Sequence, residues 1–325
     1  MEETLSSIKK PVAKEVKEFE SYFHKVMSSK VPLLSTITNY IYRRKGKQIR
    51  PVLVFLSAGL NGGISESTFV AAGMIELLHT ATLMHDDVVD EAYERRGSFS
   101  INALWRSKIA VLVGDYLLSK GLLLAVETSE FELLRNMSTA VKEMSEGELM
   151  QVERSRKMDI DEKIYFDIIQ KKTAALIAAC LVNGAVSARA LPSDVEKMYD
   201  YGVNLGLAFQ IKDDLFDYQS KGVLGKPTGN DIKENKLTLP LIYALAQVDA
   251  STKKRILSLL RKSKRDHSLV QQVIDFAEQQ GGIAYAEQKM DYFVGMAKKA
   301  IESYPDSDYK NSLIHMADFM VSRSK

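Results

Sequence analysis

The sequence predicts an all-α fold, built as one large helical bundle. Long segments carry apolar residues at the spacing of an amphipathic helix, and only 7 prolines and 18 glycines interrupt the 325 residues. Segments that alternate apolar and polar residues between turn dipeptides, the pattern of a β-strand, are missing. We therefore expect a single helical domain over residues 1–325, with one large core and without a dividing linker.

Three segments show the helical pattern most clearly, and they span residues 70–85, 195–216 and 237–248. Clusters of glycine, proline and asparagine predict breaks near residues 61–63, 97–98, 192–193 and 222–229. The last of these, in the sequence KGVLGKPTG at 221–229, is the clearest loop in the chain.

Composition limits the classes of function. The chain is 46% hydrophobic and 26% charged, which is typical of a globular protein, and its net charge of +2 gives no sign of nucleic-acid binding. The one cysteine, Cys180, lies in an apolar stretch, so we expect a buried inert thiol, no disulfide within the chain and a reducing compartment.

The N-terminus mixes lysine with glutamate, and no apolar run approaches about 18 residues. We expect a cytoplasmic protein without a signal peptide or transmembrane segment.

Two acidic clusters carry the functional signal. The sequence DDVVD at 86–90 recurs as DDLFD at 213–217, and each ends an apolar helical segment. Residues four apart share a helix face, so Asp86 and Asp90 form one pair of carboxylates and Asp213 and Asp217 form the other. The middle residue of each cluster points about 100° away, as the helical repeat of about 3.6 residues requires. Its expected role is to hold other side chains.

These paired carboxylates indicate magnesium and a phosphorylated ligand. Aspartates at this spacing repel each other, so the arrangement costs stability unless a cation lies between them. Carboxylate oxygens without a supporting cluster of His or Cys favour Mg²⁺ over Zn²⁺. Either cluster alone could be an acidic helix end without function, but two identical clusters argue against coincidence. Because Mg²⁺ shares its coordination shell with substrate phosphates, we expect a phosphorylated ligand between two facing helices.

Cationic residues supply the matching charge. Lys and Arg are natural partners of diphosphate oxygens, through point-charge and bidentate contacts respectively. Taken singly, each is more often a surface charge, and a lone histidine is more often a core residue. The candidates are Lys47, Arg50, His79, Arg95, Arg96, Lys172, Lys226 and Lys236.

Together these motifs resemble the trans-isoprenyl diphosphate synthases, which include farnesyl, geranylgeranyl and longer-chain polyprenyl diphosphate synthases. The resemblance extends over residues 45–246 and includes GKQIRP at 46–51, RRG at 95–97, Gly114-Asp115, Lys172-Thr173 and KLTLP at 236–240. It implies the isoprenoid synthase fold, a helical bundle with a central active-site cavity, and it implies a homodimer. It also implies that the protein condenses isopentenyl diphosphate with an allylic prenyl diphosphate. The apolar product would pass to the membrane.

The resemblance also implies roles for individual residues. The groups that bind isopentenyl diphosphate would be Lys47, Arg50, His79 and Arg96. The groups that bind the allylic diphosphate would be Arg95, Lys172, Lys226 and Lys236. Three magnesium ions would be held by Asp86, Asp90, Asp213 and Asp217. The catalytic groups would be Lys172, Thr173 and Gln210, of which the last two face the developing carbocation.

Product length depends, by the same resemblance, on the helix before Asp86, where a bulky aromatic residue stops growth early. Ala81 and Thr82 occupy those positions and are small. Ala81, Leu78 and Met74 share a ridge, and Met74 lies roughly 18 Å from Asp86 at about 1.5 Å per residue. We expect a medium- or long-chain product, as made by an octaprenyl-like synthase. The alternative is a short-chain synthase.

Three other functions compete. A class I terpene cyclase also uses a helical aspartate site but would not need the second set of cations. A non-catalytic regulatory subunit is expected to lose carboxylates, whereas all six aspartates are present. A phosphohydrolase, suggested by His85-Asp86, is weaker because the other histidines lack paired aspartates.

Overall fold

Helices make up nearly all of the structure. The computed structural model describes residues 4–44, 46–95, 98–218, 229–263 and 266–322. Within these ranges the α-helices are, in chain order, α1 (Leu5–Lys9), α2 (Ala13–Met27), α3 (Pro32–Arg43), α4 (Ile49–Leu60), α5 (Glu66–Val89), α6 (Ile101–Glu127), α7 (Phe131–Lys157), α8 (Glu162–Ile169), α9 (Ala175–Ser187), α10 (Pro192–Phe216), α11 (Asn230–Lys233), α12 (Leu239–Ala246), α13 (Ala250–Ser263), α14 (His267–Gln279), α15 (Gly282–Ala300) and α16 (Asp308–Ser322).

Four short elements complete this order. A 3₁₀ turn (Lys10–Val12) joins α1 to α2, and a π-helical segment (Gln170–Ala174), called the π-turn below, joins α8 to α9. The strands β1 (Glu94–Arg95) and β2 (Ser98–Phe99) pair antiparallel, with Glu94 opposite Phe99. The all-α prediction is confirmed, and this two-residue hairpin is the one correction that the described residues make to the expectation of no strands.

The predicted helices are present with small shifts at their ends. Residues 70–85, 195–216 and 237–248 correspond to α5, α10 and α12. The expected breaks near residues 61–63 and 192–193 separate α4 from α5 and α9 from α10, and Pro192 begins α10 at the position where proline loses no hydrogen bond. The break near 97–98 falls at the hairpin, and nearly all of the predicted 222–229 loop lies outside the described residues.

The helix α9 lies between the two helices that carry the acidic clusters. It packs against α4, α5, α7 and α10, whereas α5 packs mainly on α6 and α10 packs mainly on α15 and α9. Buried polar groups fix its position: Ser57 of α4 donates a hydrogen bond to Leu181 O, and the amide of Asn183 donates to Leu133 O of α7. These bonds satisfy groups that would be costly to bury unpaired, so α9 provides a fixed reference for both acidic ends.

The buried apolar side chains form one cluster that runs from Ile8 near the N-terminus to Met320 near the C-terminus. Cys180 of α9 belongs to this cluster and is fully buried. Burial raises the pKa of its thiol to about 12, so the thiolate is not populated near neutral pH. The prediction of a buried thiol is confirmed.

Two helices are long and apolar enough to be weak candidates for a membrane span. By length and composition alone, α5 and α6 could each cross a membrane, with mean hydropathies of 1.2 and 1.8 over their most apolar windows. The window in α5 is 72% buried, as in the core helix of a globular protein, whereas the window in α6 is 33% buried. Neither helix is an uninterrupted apolar run, because Glu76 lies within α5 and Asp115 and Lys120 lie within α6.

Candidate active site

The first acidic cluster lies at the end of α5, and its residues differ in exposure. Asp86 is in the last turn of the helix, Asp90 directly follows it, and both are exposed. Asp87 is buried, and its backbone oxygen accepts hydrogen bonds from Ala92 N (2.9 Å) and Asn102 Nδ2 (3.1 Å). These bonds tie the end of α5 to the start of α6, so the two solvent-facing carboxylates are held on a fixed support.

A glycine on α6 allows α5 to approach closely just before this cluster. A methyl group at Gly114 would lie 2.6 Å from Cδ2 of His85, so only glycine fits there without movement of the ring. Nε2 of His85 lies 3.4 Å from Asp115 Oδ1. The Gly114-Asp115 motif therefore packs against His85, one residue before Asp86.

The second acidic cluster lies at the end of α10. Asp213 and Asp217 are half-buried, whereas Asp214 is buried. Asp217 Oδ2 accepts a hydrogen bond of 2.6 Å from the backbone N–H of Asp231, which joins the end of α10 to α11. As at the first cluster, the outer carboxylates are more accessible than the middle one.

A chain of hydrogen bonds connects the second cluster to the π-turn. Thr173 Oγ1 donates to Gln210 Oε1 at 2.7 Å, and Gln210 Nε2 donates to Asp214 Oδ1 at 2.8 Å. Tyr165 donates from its hydroxyl to Asp214 Oδ2 at 2.7 Å. Burial raises the pKa of Asp214 to about 8, with the charge of Asp231 adding to the shift and the two donors opposing it. These hydrogen bonds fix which end of the Gln210 amide faces Thr173.

Next to this chain lies a cavity of about 70 Å³. It is lined from α7 by Gln151 and Ser155, from the π-turn by Lys172, from α10 by Gln210 and Asp214, and from the segment before α12 by Lys236. Two lysines from distant parts of the sequence therefore face one small space beside the second acidic cluster.

Both lysines are held by acidic neighbours. Lys172 Nζ lies 2.5 Å from Glu148 Oε2 and donates to Gln151 Oε1 at 2.6 Å. Lys236 Nζ lies 2.6 Å from Glu234 Oε2 and 3.5 Å from Asp231 Oδ1. Burial works against the charge of Lys236, but these acidic partners outweigh it and raise its pKa. Lys236 therefore stays protonated at neutral pH.

The other predicted cations lie on the α4 and α5 side. Lys47 is exposed in the segment before α4, its ammonium is 5.9 Å from the centre of the Phe319 ring, and its backbone oxygen accepts a hydrogen bond of 2.7 Å from Lys9. Arg50 and His79 are half-buried on α4 and α5. Arg95 lies in β1, and the positions of Arg96 and Lys226 fall outside the described residues.

The residues predicted to set product length all lie on α5. Ala81, Leu78 and Met74 are buried, and Thr82 is half-buried and donates a hydrogen bond to His79 O at 2.9 Å. None of the four lines the cavity described above. Their role in a product tunnel stays a prediction.

Sequence reasoning missed the residues that hold the predicted catalytic groups. Tyr165 donates to Asp214, and Glu148 and Gln151 contact Lys172. No local pattern links Tyr165 to Asp214, which lies 49 residues later. The segment with Glu148 and Gln151 has many charged residues, and nothing in its sequence marks these two.

The carboxylates suit a hard cation, but they are not assembled into a closed site. Among the described residues, no three His, Cys, Asp or Glu side chains are grouped so that they could hold a metal ion. Each acidic helix end instead offers a pair of outer aspartates. Oxygen donors in pairs fit Mg²⁺, which commonly takes one or two carboxylates and completes its shell with water and substrate phosphate.

Comparison with known proteins agrees with this geometry. The family model for polyprenyl synthetase matches residues 31–277. The chain is 34% identical to an all-trans-nonaprenyl-diphosphate synthase (geranyl-diphosphate specific) of Rhodobacter capsulatus, covering 96% of each chain. It is 36% identical to a short chain isoprenyl diphosphate synthase of Methanothermobacter thermautotrophicus, covering 86% of each.

Solved structures share the whole fold. A decaprenyl diphosphate synthase from Rhodobacter capsulatus is 32% identical, with a TM-score of 0.91 over 99% of this chain and 100% of that one. A polyprenyl synthase from Caulobacter crescentus, complexed with calcium and isoprenyl diphosphate, is 31% identical, with a TM-score of 0.89 over 100% of this chain and 99% of that one. The chain therefore belongs to the polyprenyl synthetase family, whose members are prenyltransferases.

Proposed function

We propose that this chain condenses isopentenyl diphosphate with an allylic diphosphate and releases a medium- or long-chain all-trans polyprenyl diphosphate. The observation that carries the proposal is the cavity in which Lys172 and Lys236 meet, beside Gln210 and the second acidic helix end. Lysines, an amide and paired carboxylates in one place suit a diphosphate that leaves with its metal ions.

Magnesium is the proposed cofactor. Asp86 and Asp90 on one helix end and Asp213 and Asp217 on the other would hold three ions, with substrate oxygens completing the shells. Support comes from the exposed oxygen donors and from the Caulobacter relative, which was crystallised with calcium, another hard cation. When bound, the ions neutralise the diphosphate and make it a better leaving group.

The allylic diphosphate would bind at the described cavity, through Lys172 and Lys236 together with Arg95 and Lys226. Because Lys172 is paired with Glu148, binding has to exchange that carboxylate for diphosphate oxygens. Lys236 keeps its charge near neutral pH and so remains a strong partner for the departing group. A cation that lies 4 Å from a phosphate oxygen in a partly dry site attracts that oxygen with an energy of about 4 kcal/mol per unit charge. These contacts therefore favour ionisation of the allylic carbon–oxygen bond.

The developing carbocation would face Thr173 and Gln210. The hydroxyl of Thr173 donates its hydrogen bond to Gln210 Oε1, so the Thr173 oxygen presents lone pairs to any positive charge nearby. The amide nitrogen of Gln210 donates a hydrogen bond to Asp214, which keeps the carbonyl end of the amide toward Thr173. Two oxygen dipoles are thus fixed before the reaction, which is how preorganised groups stabilise a transition state. The proton lost from isopentenyl diphosphate would pass to the departing diphosphate.

Isopentenyl diphosphate would bind without metal, through Lys47, Arg50, His79 and Arg96. The segment with Lys47 is anchored by Lys9 of α1, and Arg50 follows in the first turn of α4. This second set of cations favours the synthase over a terpene cyclase, which has one diphosphate to bind.

Product length is proposed from α5. Ala81 and Thr82 are small, so no aromatic ring stops growth next to Asp86. The relatives include a nonaprenyl and a short-chain synthase at similar identity, so the names alone do not decide between long and short products. The side chains on α5 favour the longer product.

A homodimer is proposed through α6. This helix exposes large apolar side chains that are 39–54% accessible, namely Leu104, Val111, Leu112, Leu122, Leu123 and Val126. An apolar face of this extent on one helix is typical of a surface that another protein covers. Light scattering should give twice the mass of one chain, and Leu112→Glu with Leu123→Glu should give the monomer. A parent protein that is monomeric at micromolar concentration would contradict the dimer.

We further propose that the enzyme is cytoplasmic and that its apolar product passes to the membrane. Fractionation should recover the protein with the cytosol and labelled product with membranes. Tight association of the protein with washed membranes would argue instead that α6 contacts lipid.

One assay tests the function directly. Purified protein with Mg²⁺ and radiolabelled isopentenyl diphosphate is given geranyl, farnesyl or geranylgeranyl diphosphate, and the products are separated by chain length. We expect labelled products that require both substrates and extend beyond four isoprene units. Turnover of the allylic substrate alone would indicate a cyclase, and no turnover with any starter would indicate a regulatory subunit.

A further inference from the structure

The π-turn presents two adjacent residues to two different helices. Lys172 reaches Glu148 and Gln151 of α7, while Thr173 reaches Gln210 of α10. A π-helical turn is rare and is frequently found at functional sites. The helices that pack against this segment therefore bear on where both side chains lie.

On the α7 side, the turn meets a glycine. A methyl group at Gly147 would lie 2.7 Å from the backbone nitrogen of Lys172 and 3.2 Å from the backbone oxygen of Ile168. Backbone atoms cannot rotate away as a flexible side chain can, so the turn itself would have to move. Gly147 directly precedes Glu148. The distance between α7 and the π-turn at this glycine therefore also determines how Lys172 reaches Glu148.

On the α10 side, the end of the turn meets a second glycine. A methyl group at Gly206 would lie 2.6 Å from Cβ of Ala174 and 3.3 Å from its backbone nitrogen. Gly206 lies four residues before Gln210, on the same face of α10. The separation at Gly206 therefore also determines the distance from Thr173 to Gln210.

We propose that Gly147 and Gly206 are positioning residues for prenyl transfer. By letting α7 and α10 contact the π-turn at backbone distance, they set the places of the Lys172 ammonium and the Thr173 hydroxyl. This inference rests on the proposed function, in which those two groups contact the allylic substrate. A shift of about 1 Å in such groups can reduce the rate about 100-fold.

The test compares four alanine variants. Gly147→Ala and Gly206→Ala are the test variants, and Gly121→Ala and Gly295→Ala are matched controls within helices, where a methyl group meets nothing closer than 3.8 Å. Each protein is assayed well below its melting temperature, with activity expressed per folded molecule. We expect kcat to fall about 10- to 100-fold in both test variants, with the KM for isopentenyl diphosphate within about twofold of the parent. The controls should keep kcat within about twofold.

Comparing kcat with KM and with the melting temperature distinguishes a positioning role of these glycines from a purely structural one. A glycine with only a structural role would lower the melting temperature but leave kcat per folded molecule unchanged, and that result in both test variants would overturn the proposal. Activity of the parent is measured first, so an inactive parent counts against the proposed function, whereas an active parent with active test variants counts against this inference alone.

A second measurement decides the matter if neither variant folds. Hydrogen exchange in the parent should show amides 171–174 protected to the same degree as the buried part of α9, because a clamped turn opens only with its neighbours. Exchange as fast as that of the exposed Asp306, in the segment between α15 and α16, would show that the two glycines do not hold the turn, and would overturn the proposal.

Discussion

The hydroxyl of Tyr165 donates a 2.7 Å hydrogen bond to Asp214 Oδ2, between residues 49 positions apart in the chain. Both side chains are buried, and the other oxygen of the carboxylate accepts a bond from Gln210. The middle aspartate of the second cluster therefore acts as the anchor of a hydrogen-bond chain, whereas its outer neighbours, Asp213 and Asp217, are the proposed metal ligands.

Replacing Tyr165 tests this anchor. Tyr165→Phe removes one donor to a buried carboxylate, which costs about 1–3 kcal/mol of stability and loosens the Gln210 amide. We expect a lower melting temperature and a kcat reduced about 10-fold, with the KM for isopentenyl diphosphate unchanged. Steady-state kinetics with both substrates varied measures this. Tyr292→Phe, at an exposed tyrosine, is the control. An unchanged kcat would mean that Gln210 is held without Tyr165.

The outer aspartates should control metal dependence. Asp86→Ala and Asp213→Ala each remove an accessible carboxylate from one helix end, and we expect each to lower kcat at least about 100-fold and to raise the Mg²⁺ concentration for half-maximal rate. Asp291→Ala, at an exposed position on α15, should behave as the parent. Should the double variant at residues 86 and 213 keep the parent rate, neither cluster holds the metal.

Much of this site follows from local spacing. The i,i+4 pairing of aspartates at the ends of apolar helices predicts that the middle carboxylate of each cluster points away from the outer pair, and Asp87 and Asp214 are each the most buried aspartate of their cluster. Long apolar segments likewise predict α5 and α10, because burying a helix face requires a regular pattern in the sequence.

Contacts between distant segments are not predictable in this way. The bonds of Tyr165 with Asp214 and of Lys172 with Glu148 depend on how α7, α8 and α10 pack, and no local pattern encodes that packing. The π-turn is similar, since it packs closely against glycines on two other helices, Gly147 of α7 and Gly206 of α10. The exposed face of α6 was missed because periodicity shows that a face is apolar and cannot show what covers it.

Backbone strain at Arg106 is another feature that the sequence conceals. This residue interrupts α6 with φ 69° and ψ 161°, a conformation that is essentially restricted to glycine. Arg106→Gly should relieve about 1–3 kcal/mol of strain at an entropic cost of about 0.5–1 kcal/mol. We expect a melting temperature higher by roughly 1–3 °C. Arg106→Ala keeps the Cβ and should give no such gain. A lower melting temperature for the glycine variant would show that Arg106 is not strained.

Product length gives the last prediction. Ala81 is 2% exposed and lies five residues before Asp86, so a phenyl ring at this position has to enter the space on the substrate side of α5 or displace its neighbours. Ala81→Phe should shorten the products to about three or four isoprene units, and overpacking should cost about 1–3 kcal/mol of stability. Thr82→Ser, which keeps a small side chain and a hydroxyl at the next position, should leave the distribution unchanged. Chromatography of the labelled products measures both. If Ala81→Phe folds and still gives the parent products, the growing chain does not pass along this face of α5, and the length must be set by other helices.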